Sequence, residues 1–400
     1  MNEEASVPMP EQTTLEKTGS GRMSRKTQLI RPSGGLPLVT IAGAAGKTTT
    51  GRLLIQLLEQ AGNEVAAWLT DGVYVDRTLR HDELHAWELA AHATRAREID
   101  VLIQEIPSVL AASLPRNSTW IVALTSICGS DEHCQRDEAA QRDQLGVAAA
   151  LETLRDDGRV VANADDLMLV DAASASSHAI TYFAMNGGNP ILRNHVHDGG
   201  DAVWIQNGWI KVQIAGEKQR LVQVHDLPET LNGHLIFQVQ NTLAAIATAT
   251  TIGLPPDVVA EGIVARTGPG PIPGRGLAIT NGAGKVLVAD RPSSLHAVKQ
   301  LMRGVRALGP RRVILVLGLL ERLHASDAEE AARVLGSLGG IAILVNPGKV
   351  DERLAALRSG LMASDNPPVI IMRPAVETTN DYIQSLLDDG DVALVLDHAP

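Results

Sequence analysis

The fold is decided by the stretch Leu38-Val39-Thr40-Ile41-Ala42-Gly43-Ala44-Ala45-Gly46-Lys47-Thr48-Thr49-Thr50. Leu38–Ala42 is a short apolar run of the kind that forms a buried strand. From Lys47 to Gln60 the apolar residues Leu53, Leu54, Leu57 and Leu58 fall on one helical face. A glycine-rich turn joins the two. Glycines in such a turn let backbone N–H groups point inward at phosphate oxygens, and the helix start adds the positive end of its dipole. Lys47 can bridge the β- and γ-phosphates of a nucleotide, and the Thr48 hydroxyl can hold Mg²⁺. The common eight-residue loop would place a glycine where Ile41 stands, so the shorter spacing Gly-x-x-Gly-Lys-Thr-Thr is the one that fits. The plainer reading is a strand–helix turn with a chance lysine. The flanking strand and helix favour nucleotide binding.

Outward from this loop, strands and helices alternate. Residues 64–70, 101–105, 120–125 and 160–163 read as strands, and 84–97 and 139–154 as helices. That alternation means βαβ units and a parallel sheet. From Ala179 the texture becomes β. Strands at 202–206 and 209–214 are joined by the hairpin signal Asn207-Gly208, with another strand at 221–224. Helices at 237–251 and 255–266 follow. The Gly/Pro-dense segment 267–275 marks a domain boundary. Beyond it, alternation resumes to the end of the chain. The expected architecture is α/β: a parallel-sheet domain over 36–268 carrying a small β insertion, then a smaller Rossmann-like domain over 269–400. Residues 1–35 are polar and without periodicity, and read as a disordered tail.

Composition narrows the function. The 400 residues include 35 Lys+Arg and 46 Asp+Glu, a formal net charge of −11. This argues against a nucleic-acid partner or an anionic membrane surface, both of which attract basic proteins. Five Trp, three Tyr and two Phe are too few for stacking platforms along a single strand. Any polyanionic partner would have to meet a local cluster such as Arg291, Arg303, Arg306, Arg311 and Arg312. The two cysteines, Cys128 and Cys134, cannot build a disulfide framework or a cysteine zinc site, and are expected as reduced thiols of a cytoplasmic protein. No apolar run approaches the ~18 residues of a membrane helix. The start Met1-Asn2-Glu3-Glu4 lacks the marks of a secretory signal.

Several further stretches, taken in order, carry a resemblance. They are Thr70-Asp71-Gly72-Val73-Tyr74-Val75-Asp76, Asn163-Ala164-Asp165-Asp166, Gly188-Asn189-Pro190 through Gly208-Trp209-Ile210, Val239-Gln240-Asn241-Thr242, Pro273-Gly274-Arg275 and Gly390-Asp391-Val392. With Gly43–Thr50 they resemble the Mur ligase family, and most of all the C-terminal, Mur-ligase-like half of cyanophycin synthetase. The resemblance runs from about residue 36 to the end. It implies ATP-dependent amide bond formation. A carboxylate attacks the γ-phosphate to give an acyl phosphate, and an amine then displaces phosphate. Positioning and charge neutralisation carry such chemistry.

The resemblance also assigns residues. Gly43, Gly46, Lys47, Thr48 and Thr49 would hold the nucleotide phosphates, with Mg²⁺ on Thr48, Glu105 and His133. Lys47, Glu105 and His133 would form the catalytic set. Asn241 would lie on the adenine side, Arg275 would reach the γ-phosphate and Asp290 would contact the ribose. Each has a plainer reading: a surface carboxylate for Glu105, a solvated histidine for His133, an exposed linker arginine for Arg275 and a helix cap for Asp290. The sequence also departs from the family. No lysine stands in 143–147, the motif around Asp290 reads Ala289-Asp290-Arg291-Pro292-Ser293-Ser294 and lacks the family's His and Asn, and the amine loop reads Gly318-Leu319-Leu320-Glu321-Arg322. The implied cofactors are ATP and Mg²⁺. The implied partners are an acidic peptide or amino-acid acceptor, an amino-acid amine donor and a separate ATP-grasp protein supplying the module this chain is too short to contain. A homo-oligomer is compatible with all of this. The alternative is a subunit that keeps the nucleotide loop and has lost ligation.

Overall fold

The structure is a computed structural model. It describes residues 26–33, 37–70, 72–75, 78–80, 99–128, 138–227, 230–265, 278–282, 285–292, 295–323, 325–346, 348 and 351–397. Strand β1 (Leu38–Ala42) is buried almost throughout and lies between two parallel neighbours, β5 (Val101–Glu105) and β6 (Thr119–Leu124). A strand covered on both faces has no reason to alternate, which is why all three read as continuous apolar runs. The sheet continues on one side through the parallel β2 (Val65–Leu69) to the antiparallel β3 (Gly72–Val75) and β4 (Thr78–Arg80). On the other side come the parallel β7 (Leu154–Asn163), β8 (Ala179–Ala184) and β9 (Ala202–Gln206). The antiparallel β10 (Trp209–Ile214) and β11 (Glu217–Gln223) finish that edge.

Helices cover both faces. On one side α1 (Lys47–Gln60), α5 (Ile236–Ile252) and α6 (Pro256–Val264) share a core with Ile41, Ile103 and Ile121. Each fully buried leucine of α1, such as Leu54, Leu57 and Leu58, contributes about 2 kcal/mol of apolar burial. On the other side α2 (Glu138–Leu151), α3 (Leu167–Ala175) and α4 (Pro190–His197) pack over Val122, Leu124 and Val160. The parallel pairing brings the C-terminal ends of β1, β5, β6 and β2 to one edge, and the glycine loop leaves from there.

The second unit has a six-stranded sheet in the order β12 (Ala278–Gly282), β13 (Lys285–Asp290), β17 (Asp391–Leu396), β14 (Arg312–Leu317), β15 (Ile341–Asn346), β16 (Val369–Pro374). All its pairs are parallel except β12 with β13. Helices α7 (Leu295–Ala307), α8 (Ala328–Gly336) and α9 (Glu352–Met362) cover one face, and α10 (Asn380–Leu386) the other. Leu231 and Leu235, which precede α5, pack into this second core. The expected α/β architecture with a parallel sheet and a second Rossmann-like sheet is therefore present.

Several details differ from the sequence reading. Helix α2 stops at Leu151, because Thr153 turns its hydroxyl onto Ala150 O at 2.7 Å and its carbonyl accepts the N–H groups of Ser118 and Thr119. Strand β7 then begins at Leu154 and runs through Asp156-Asp157-Gly158. The expected β insertion contains a helix, α4, which crosses over to make β9 parallel to β8, so within the insertion the antiparallel part is β10 and β11. Strand β12 carried no apolar signal. Residues 26–33 do not behave as tail. Leu29 is buried, Thr27 and Ile30 donate N–H to Ala61 O and Ile252 O, and Lys26 and Arg31 pair with Asp100 at 2.6 and 2.8 Å. The helix expected over 84–97 lies outside the described residues. Among the described residues no helix is long and apolar enough to cross a membrane.

Candidate active site

The loop closes tightly because two of its residues have no side chain. Gly43 has φ 131° and Gly46 φ 84°, both in the left-handed region that glycine tolerates. A Cβ on Gly43 would sit 2.6 Å from the Thr125 hydroxyl, and one on Gly46 would collide with the carboxamide oxygen of Asn241. Asn241 thereby faces the loop from α5. Its Nδ2 donates to Gln238 Oε1 at 2.9 Å, and both residues are buried. The loop is braced by the segment after β6. Ser126 O accepts N–H from Ala44 and Ala45 at 2.7 and 3.2 Å, and the Thr125 hydroxyl donates to Ala45 O at 2.6 Å.

Helix α1 starts at Gly46 without a side-chain cap. Among the described residues, the N–H groups of Gly46, Lys47, Thr48 and Thr49 meet no acceptor. Four unpaired donors at the positive end of a helix make a place for an anion. Lys47 stands beside them, its ammonium donating to Gly43 O at 2.7 Å and to Ala44 O at 3.4 Å.

Glu105 lies at the C-terminal end of β5, opposite Ile41 in register. It is buried, with 5% of its surface exposed, so the surface-carboxylate reading does not apply. One oxygen, Oε2, accepts the Thr48 hydroxyl at 2.7 Å and the Thr70 N–H at 2.9 Å. Two hard oxygen donors in contact suit Mg²⁺, which takes one or two protein oxygens and completes its shell with water and phosphate. Thr48 and Glu105 fit that requirement. Among the described residues no group of three His, Cys, Asp or Glu side chains forms a further metal cluster. His133 and Arg275 lie outside the described residues.

Asp290 does not join this cluster. It ends β13 and bonds within the second unit, its Oδ1 accepting Arg291 N–H at 2.7 Å and its carbonyl accepting Asp397 N–H at 2.9 Å. Desolvation pushes its carboxyl up to about 6, against the opposing pull of the Arg291 N–H and the Arg322 guanidinium. Beside it, Arg291, Gly318, Leu319, Glu321, Val345, Ala375 and Asp397 line a cavity of about 180 Å³ at the C-terminal ends of the strands. Ligands of open α/β sheets bind at that edge. Asp397 holds both walls, pairing with Arg291 at 3.6 Å and accepting Glu321 N–H at 2.7 Å.

Of the five arginines read as a local cluster, four have protein partners: Arg291 pairs with Asp397, Arg306 donates to Ser337 at 2.7 Å, and Arg311 and Arg312 clamp the buried Asp391. One expectation is corrected. Cys128 is disulfide-bonded rather than a reduced thiol; the other cysteine of the sequence, Cys134, lies outside the described residues. Thr70, Thr125 and Ser126 add contacts at the site that their residue types do not signal. They act mainly through backbone groups, which no residue type announces.

Comparison with known proteins fits this geometry. No family model matches the chain. Over 279 residues it is 28% identical to a cyanophycin synthetase of a Nostoc species, a match covering 68% of this chain and 31% of that protein. Over 300 residues it is 23% identical to the UDP-N-acetylmuramoyl-L-alanyl-D-glutamate–2,6-diaminopimelate ligase of Syntrophomonas wolfei, covering 72% and 57%. The chain is similar in sequence to cyanophycin synthetases and, more weakly, to Mur ligases. It spans about a third of the length of the cyanophycin synthetases it matches. Among solved structures, this chain shares its fold with E. coli FolC in complex with ADP. There the TM-score is 0.61 at 16% identity, covering 91% of this chain and 87% of that one. Its relatives are a synthetase and ligases by name.

Proposed function

We propose that this chain is an ATP-dependent acid–amino acid ligase, which forms an acyl phosphate on an acceptor carboxylate and passes the acyl group to an amino-acid amine. The observation that carries the reading is the contact of Thr48 with Glu105 beside four open N–H groups and Lys47. In this reading the N–H groups of Gly46–Thr49 bind the β- and γ-phosphates of ATP. Lys47 leaves the carbonyls of Gly43 and Ala44 and neutralises charge that develops on the transferring phosphoryl group. Mg²⁺ held by Thr48 and Glu105 would supply charge neutralisation on the phosphate oxygens. Asn241 and Gln238 shape the wall next to Gly46, and Arg275 closes on the γ-phosphate. His133 stands as a further metal ligand in the same scheme.

The cavity beside Gly318–Glu321 is the place for the incoming amine, and its charged lining suits a zwitterionic amino acid. An acidic peptide or amino acid is the acceptor, presented by a separate ATP-grasp partner. The setting is cytoplasmic. A second reading, a nucleotide-binding subunit without ligation, is supported by one observation. Asp290, where the family places its ribose contact, is followed by Arg291-Pro292, and Arg291 is tied to Asp397. Phosphate release separates the two. Ligation requires release that depends on both a carboxylate acceptor and an amine. The second reading gives ATP binding with no release on any pair.

A further inference from the structure

The turn after β7 grips the wall of the glycine loop from behind. Asp166 is wholly buried, and its Oδ2 accepts the N–H groups of Ile127 and Cys128 at 2.7 and 2.9 Å. Asn163, also wholly buried, donates Nδ2 to Thr125 O at 3.1 Å, while its Oδ1 accepts Asp165 N–H at 3.0 Å. Asp165 in turn holds Met185 N–H at 2.7 Å and Asn189 Nδ2 at 2.9 Å. Thus residues 125–128 are held at three backbone groups by two side chains of one turn. The same residues hold the glycine loop through Ser126 O and the Thr125 hydroxyl.

The position of Asp166 makes the point sharper. It occupies the N-cap of α3, yet among the described residues its side chain makes no capping bond to that helix. An aspartate at an N-cap ordinarily accepts N–H groups of the first turn. Here the carboxylate turns to the segment after β6 instead. Burying a carboxylate is costly unless hydrogen bonds offset it, and a charged acceptor holds two N–H groups more firmly than a neutral one.

We infer that Asp166 and Asn163 are positioning residues for the nucleotide loop, acting through Thr125–Ser126–Ile127–Cys128 on the N–H groups of Ala44 and Ala45. The grip fixes how far Ser126 O stands from β1. That distance fixes how the loop presents Gly46–Thr49 to the phosphates. Neither residue touches the ligand. The inference rests on the nucleotide-binding part of the proposed function.

The test is calorimetric titration of the full chain with MgATP, alongside thermal unfolding. Removing a residue that orients a binding group costs about 10–100-fold, so Asp166→Ala weakens ATP binding by that factor. Asp166→Asn keeps an accepting oxygen and restores affinity to within about threefold of wild type. Leu169→Ala removes a fully buried side chain of α3 and lowers stability without touching the relay. Its ATP affinity stays within about twofold of wild type. If Asp166→Ala does not fold, Asn163→Ser, which cuts the grip on Thr125 and the carboxamide acceptor of the Asp165 N–H while leaving Asp166 in place, carries the same expected weakening. Wild-type affinity in the relay variants, or equal weakening by Leu169→Ala, overturns the relay. Absence of ATP binding by the wild type overturns the nucleotide reading itself.

Discussion

The Thr48 hydroxyl donates to Glu105 Oε2 at 2.7 Å, joining the first turn of α1 to the C-terminal end of β5. That one bond ties together the two elements that parallel strand order places side by side. Glu105→Gln keeps an acceptor for Thr48 and Thr70 but removes the negative charge a cation needs. ATP turnover should fall about 100-fold or more, since a metal supplies several kcal/mol of charge stabilisation. A magnesium titration of phosphate release checks this, and an unchanged dependence on magnesium would remove Glu105 from the site.

Lys47→Ala should abolish detectable MgATP binding in a calorimetric titration and leave the unfolding midpoint near that of wild type. Among the described residues the ammonium bonds to two loop carbonyls, so little of the described fold depends on it. Normal ATP affinity in this variant would contradict the loop assignment.

Gly46→Ala meets two penalties. A left-handed φ of 84° costs a residue with a Cβ about 1–2 kcal/mol, and the new atom runs into Asn241. Urea unfolding should show at least that loss, together with weaker ATP binding as the loop shifts away from Asn241.

How far the sequence could be read follows from where each residue does its work. Ile41, Leu54 and Leu57 announce a buried strand and its covering helix because apolar burial acts through side-chain type and spacing. Lys47, Thr48 and Glu105 are legible for the same reason: their chemistry belongs to the side chain. The misplaced boundary at Leu154 has the opposite cause. Thr153 ends α2 by bonding its hydroxyl to Ala150 O and lending its carbonyl to Ser118 and Thr119, contacts that only the folded chain creates. Residues 26–33 are polar in composition and carry the pattern of a tail. What holds them is Leu29 and a pair of cations on Asp100, a residue far along the chain.

The Asp391 carboxylate is fully buried, with Arg312 at 2.6 Å and Arg311 at 3.3 Å. Burial pushes its carboxyl up, but the Asp388 N–H and the two guanidinium groups outweigh this and hold it below the usual carboxylate range. A depressed pKa stabilises the fold above the ordinary carboxylate pKa and is lost as pH falls through the folded value. Asp391→Asn should therefore cost about 3 kcal/mol at neutral pH, and the gap to wild type should narrow in acid. Denaturant unfolding at pH 7 and pH 3 checks both statements.

Asp290 runs the other way. Desolvation raises its carboxyl from 3.8 to about 6, so the folded state binds the proton more tightly than the unfolded chain does. The stability this gives is present below pH 3.8 and declines as pH rises to about 6. Asp290→Asn should then gain on wild type between pH 4 and pH 7 in thermal unfolding. A constant difference across that range would contradict the shift.

The most direct measurement is phosphate release by the full chain with MgATP. Amino acids would be offered as amine donors, with and without Asp-rich peptides as acceptors. Release that rises only when a carboxylate acceptor and an amine are both present is the result expected of a ligase. ATP bound tightly, with no release on any acceptor–amine pair, would contradict it.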